Sequence, residues 1–109
     1  MYNKIVRISP IAVQGTNLVE KLVALPRWKI LDNVLVREVQ FNDYETTWAF
    51  LTQISMRSHL WGHHPTITTS YNYVRLQLST HDLDGKISDI DLKLAQRFEK
   101  YIESYTQKE

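Results

Sequence analysis

The chain has 109 residues, 43% of them hydrophobic and 23% charged, and a formal net charge of +1. That length suits a single domain spanning 1–109, able to bury roughly two-thirds of its unfolded surface, and the composition is that of an ordinary soluble globular protein. The near-neutral charge argues against nucleic-acid binding by bulk electrostatics, no apolar run approaches the ~18 residues of a membrane span, and the absence of cysteine excludes disulfides, thiolate metal sites and a cysteine nucleophile.

Residues 1–15 read as an N-terminal extension. Lys4 and Arg7 precede the first acidic residue, Glu20, but the segment lacks the Arg and Ser richness of a transit peptide. Without cysteine, the cytoplasm is the expected compartment, with the nucleus also open to it. Asn17-Leu-Val-Glu20 looks like a capping box for a short helix carrying Leu18, Leu22 and Leu25, which Pro26 ends. Trp28–Leu31 and Val34–Phe41 then read as two strands joined at Asp32-Asn33, residues that tolerate positive φ.

Asn42-Asp-Tyr-Glu45 is a second capping-box candidate. Its helix should run to about His59 or Leu60, with Thr47, Phe50, Leu51, Ile54 and Ser58 on one face, and Gly62 and Pro65 forbid continuation. Thr66–Tyr71 and Val74–Thr80 form another hairpin, expected to turn at Asn72-Tyr73. Ser88 caps the last helix, with Asp91 three residues on. Ile87 can staple onto Leu92, and Leu94, Phe98, Ile102 and Tyr105 make the apolar stripe. The order is α-β-β-α-β-β-α: an α+β fold with a four-stranded antiparallel sheet and three helices packed on one face.

Three of the four histidines flank the second hairpin: His63 and His64 just before it, His81 just after it. A hairpin brings the start of its first strand beside the end of its second, so the three should be neighbours. Imidazole titrates near neutral pH and can give and take a proton in one cycle, which makes the trio a candidate proton-transfer site. A competing reading is metal ligation by His59, His63 and either His64 or His81, with Asp82 or Asp84. Gly62 disturbs the helical spacing between His59 and His63, and no familiar metal motif is completed.

The same stretch resembles the pterin-4a-carbinolamine dehydratase family, also known as the dimerisation cofactor of a homeodomain transcription factor. The family signature runs acid, three residues, His-His-Pro, five residues, an aromatic, nine residues, His, then an Asp. This chain offers His63-His64-Pro65, Tyr71, His81 and Asp91. Leu25-Pro-Arg-Trp28, the run from Val39 to Leu51 and Asp91-Leu-Lys-Leu-Ala95 extend the likeness to about residues 16–105. It departs at the acid, where His59 stands.

The resemblance implies dehydration of 4a-hydroxytetrahydropterin to the quinonoid dihydropterin, a hydro-lyase step in tetrahydrobiopterin recycling, with no cofactor and no metal. It implies His63 and His81 as the acid–base pair, His64 as a positioning and substrate-binding residue, and Trp28, His59 and Asp91 around the substrate. Trp28 reads equally well as a core residue, and Asp91 as a helix cap. The resemblance also implies a homodimer or homotetramer. The alternative it carries is a non-catalytic protein-binding module with a transcription factor as partner.

Overall fold

The structure is a computed structural model that describes residues 12–13, 15–80 and 86–106. In chain order the elements are α1 (Gly15–Leu22), β1 (Lys29–Leu31), β2 (Val34–Gln40), α2 (Tyr44–Trp61), β3 (Thr66–Ser70), β4 (Tyr73–Leu78) and α3 (Asp89–Thr106). The expected order is therefore the observed one. The strands form one antiparallel sheet in the order β1-β2-β4-β3, so each hairpin contributes one central and one edge strand.

Strand pairing sorts the side chains onto two faces. Leu35, Arg37 and Val39 of β2 lie opposite Leu78, Leu76 and Val74 of β4, and this face carries the helices. Phe50, Leu51 and Ile54 of α2 and Leu94, Phe98 and Ile102 of α3 join these strand residues in one core, with Leu18 and Leu22 of α1 packed at its margin. The opposite face presents Lys29, Val36, Glu38, Tyr73, Arg75 and Gln77. Alternation along β2 breaks at Val36, buried on this uncovered face.

Arg37 sits on the helical face, where burial of a lone guanidinium would be costly. Glu99 of α3 receives its Nε at 2.9 Å and its Nη2 at 3.1 Å, and takes the Trp28 indole N–H at 2.9 Å. Burial alone would raise the Glu99 carboxyl's pKa. The Arg37 hydrogen bonds and charge, helped by Trp28 and Arg27, outweigh that and hold it below its ordinary value. This trio ties sheet to helix across the layers.

Local structure differs from expectation at three termini. α1 begins at Gly15, so Asn17 lies inside the helix and caps nothing. The incoming chain is already anchored there by the Ala12–Ser88 bridge and the Val13 N–H to Ile87 carbonyl bond, which lets the helix start earlier. Its end tightens into i→i−3 bonds, among them Leu25 N–H to the Leu22 carbonyl, so Leu25 enters the core from beyond the helix. Asp43, not Asn42, caps α2, its carboxylate accepting the Thr46 N–H at 2.7 Å.

The second hairpin turns at Tyr71-Asn72, one residue early. Asn72 is held by Phe41 through two bonds of 2.8 Å: Phe41 N–H to its backbone carbonyl, and its own side-chain amide to the Phe41 carbonyl. That leaves Tyr73 free to pair with Gln40, and Tyr71 takes the left-handed position at φ 52°. The first hairpin turns where expected, with Asp32 and Asn33 at φ 52° and 63°.

Candidate active site

The position of His63 is set by how α2 stops. Gly62 adopts φ 68°, ψ 31°, its N–H bonds the His59 carbonyl at 3.1 Å, and the His63 N–H bonds the Ser58 carbonyl at 3.0 Å. This pair of bonds is a Schellman motif, which closes the helix and fixes the direction of the residue that follows. His63 turns inward as a result and His64 outward.

His63 Nε2 lies 2.5 Å from Oδ1 of Asp91, with 15% of the His63 side chain exposed and none of Asp91. The other carboxylate oxygen is held as firmly. Oδ2 accepts the Ser88 N–H at 2.8 Å and lies 2.8 Å from the Thr80 hydroxyl and 3.2 Å from that of Ser88. The two hydroxyls are 2.6 Å apart, and Ser88 Oγ in turn accepts the Asp91 N–H at 3.2 Å. Asp91 is therefore both the capping-box acid of α3 and the partner of a histidine 28 residues away.

This arrangement decides the tautomer. A carboxylate can only accept, so Nε2 is the donor in this contact and Nδ1 is the ring nitrogen that Asp91 does not engage. A histidine with one nitrogen pinned by a buried carboxylate has its ring plane and protonation pattern fixed before any ligand arrives.

The remaining candidates are placed as follows. His59 and His64 are both exposed, and their rings come within 5.8 Å of each other around the end of α2. Trp28 is 4% exposed and packed in the core with its N–H on Glu99, as its core reading required. Tyr71 is exposed on its turn, its ring stacked 6.3 Å from that of Tyr44. His81 lies outside the described residues, as do Asp82 and Asp84. Thr80, which precedes His81 in the chain, is described: buried, its N–H on the Lys86 carbonyl at 2.9 Å, its hydroxyl on Asp91. Among the described residues no group of three His, Asp or Glu side chains is arranged to hold a metal, and no helix is long and apolar enough to cross a membrane.

Sequence reasoning did not single out Thr80 or the Arg37–Glu99 pair. Thr80 had a signal. Val74, Leu76 and Leu78 point inward at a period of two, and Thr80 continues that series with a hydroxyl where an apolar side chain would be expected.

The chain belongs to the pterin 4 alpha carbinolamine dehydratase family, a family of hydro-lyases, whose sequence profile matches residues 12–101. A Saccharomyces cerevisiae protein provisionally named pterin-4-alpha-carbinolamine dehydratase is 52% identical, over 97% of this chain and 99% of its own length. A Prochlorococcus marinus protein of the same provisional name is 34% identical, over 88% of this chain and 99% of its own. In fold, the chain is similar to a Brucella melitensis structure described as a transcriptional coactivator/pterin dehydratase, with a TM-score of 0.78 and 26% identity, covering 83% of this chain and 97% of that one. It also resembles a pterin dehydratase-like protein described as a RuBisCO assembly factor in the alpha-carboxysome, with a TM-score of 0.57 and 25% identity, covering 69% and 86% of the two chains.

Proposed function

We propose that this chain dehydrates 4a-hydroxytetrahydropterin to the quinonoid dihydropterin by histidine acid–base catalysis, and so supports tetrahydrobiopterin recycling. The observation that carries the reading is the His63–Asp91 pair, a histidine with one nitrogen pinned and the other left for substrate. In the reaction the C4a–O bond breaks and the hydroxyl leaves as water after taking a proton. N5 loses its proton, and its electron pair forms the C4a=N5 double bond. Two imidazoles suffice, one giving a proton to the hydroxyl and one taking the proton from N5, and such groups contribute roughly 10²- to 10⁴-fold each.

His63 exchanges its proton through Nδ1, and His81 is the other member of the pair. The chain runs from Thr80, held on the same carboxylate as His63, directly into His81, which supports their acting together. His64 positions the substrate, with His59 beside it in the place of the family's acid. The core packing of Trp28 and its bond to Glu99 favour a structural role over direct stacking. Association into a dimer or tetramer belongs to the same reading. It is supported by the two edge strands and by Trp48, Met56 and Leu60, apolar residues exposed along α2 at intervals of one or two turns.

A second reading, a non-catalytic protein-binding module, draws on the coactivator and assembly-factor descriptions of the two structural relatives. One assay separates them. Freshly generated 4a-hydroxytetrahydropterin is offered to wild type, His63→Ala and His81→Ala, each checked for folding by circular dichroism. Acceleration by wild type and loss of most of it in both folded variants is the expected result. A wild-type rate equal to buffer would leave only the binding module.

A further inference from the structure

The uncovered sheet face carries a cavity of about 340 Å3 lined by Arg27, Lys29, Leu31, Val36, Glu38 and Arg75. We propose that it is a binding site for a small phosphate-bearing molecule, separate from the histidine site and independent of the dehydratase reading. Three cations face one carboxylate across this cavity, an excess of two positive charges. The carboxylate is partly spoken for, since Glu38 Oε2 accepts the Tyr73 hydroxyl at 2.6 Å. A phosphate monoester carries close to two negative charges at neutral pH, which matches the excess.

The second observation is Arg75 itself. It stands directly across the β2–β4 seam from Glu38, yet its Nε is shut off from solvent and finds no acceptor among the described residues. Buried donors are almost always paired, and a guanidinium presents a planar fork suited to two oxygens of one phosphate. Nε itself lies too deep for a ligand to reach, but Arg75 lines the cavity, and a phosphate there would engage the terminal nitrogens of a fork that no carboxylate among the described residues occupies.

The cavity also has an apolar part. Val36 is buried there although no helix among the described residues packs on its face, and Leu31 stands exposed at the edge strand beside it. The stems of long cationic side chains cover apolar surface of this kind while their heads remain polar. The occupant that fits is a small molecule with an apolar body and a terminal phosphate. An extended acidic polypeptide would fit less well, since the three cations line a single cavity instead of spreading along an edge.

Phenyl phosphate is the probe, with phenol as its uncharged counterpart, titrated into the full chain at about 0.15 M salt, where free surface charges are screened beyond ~8 Å. Binding is followed by backbone amide shifts and calorimetry. The expected result is saturable binding of phenyl phosphate, with shifts centred on Lys29, Val36 and Arg75. Arg75→Gln should weaken it about ten-fold, the equivalent of ~1.4 kcal/mol. Lys29→Gln, at an exposed position whose loss the fold tolerates, should weaken it about three-fold. Lys100→Gln on α3, outside the cavity, should leave it unchanged. Three results would overturn the proposal: phenol binding as well as phenyl phosphate, equal losses in the folded Lys29→Gln and Lys100→Gln proteins, or saturation by a poly-glutamate peptide without saturation by phenyl phosphate.

Discussion

At the scale of single residues, Asp91 concentrates two jobs in one carboxylate. Oδ2 holds the start of α3, the cap weighed from sequence, while Oδ1 holds His63, a partner the sequence did not announce. Asp91→Asn keeps the shape but can present an amide N–H to Nε2, which then must give up its proton, and the ring is left in the other tautomer. On the proposed mechanism the turnover number falls by up to about 10⁴-fold, as when the carboxylate behind an acid–base histidine is replaced by its amide, with little change in KM. A purely structural role would instead show as lost thermal stability at normal turnover of the folded fraction. Ser58 offers the opposite case. Its hydroxyl is buried with no hydrogen-bond partner among the described residues, so Ser58→Ala removes an unsatisfied group. Thermal unfolding should show a gain of about 1 kcal/mol, and a loss of that size would mean the hydroxyl is bonded after all.

Elements were more legible than their ends. Periodicity in the apolar residues marked α2, α3 and β4, because one face of each must be buried and the spacing of that face is fixed by backbone geometry, whereas the largely exposed β3 was read as the other arm of a hairpin. Ends depend on partners that no local pattern announces. Asn17 has a capping sequence, but the bridge from Ala12 to Ser88 moved the helix start past it. Asn72 has turn chemistry and does turn, but its bonds to Phe41 release Tyr73 to the sheet and draw Tyr71 into the turn instead. The inward His63 was legible as an address and not as an orientation, since the orientation comes from a carboxylate on α3. Gly62 was readable from the start because a helix stopping before Pro65 needs a residue at positive φ. Gly62→Ala puts a Cβ into that conformation at a cost of about 1 kcal/mol. It should lower the melting temperature and, by shifting His63, depress turnover more than the stability loss explains. Unchanged turnover in the folded variant would mean His63 is placed by Asp91 alone.

For the molecule as a whole, the Arg37–Glu99–Trp28 contact makes stability depend on acid. The Glu99 carboxyl is held below its ordinary pKa of 4.5, so the folded state binds this proton less readily than the unfolded chain does. The contribution is therefore complete above the unfolded value and is lost as pH falls through the depressed folded value. Chemical denaturation below pH 4.5 should show wild type losing stability faster than Glu99→Gln; parallel losses would assign the acid sensitivity elsewhere. The strand order has a consequence of another kind, for the order in which a new chain becomes an enzyme. Each hairpin closes a short loop and can form within microseconds, but the β2–β4 seam must wait for α2 and β3 to be in hand. Both the acid that steadies His63 and the acid that neutralises Arg37 arrive on α3, made after every other element. A chain emerging from the ribosome thus carries His63 for some time before it carries the carboxylate that holds it, and the seam can close before that contact is made.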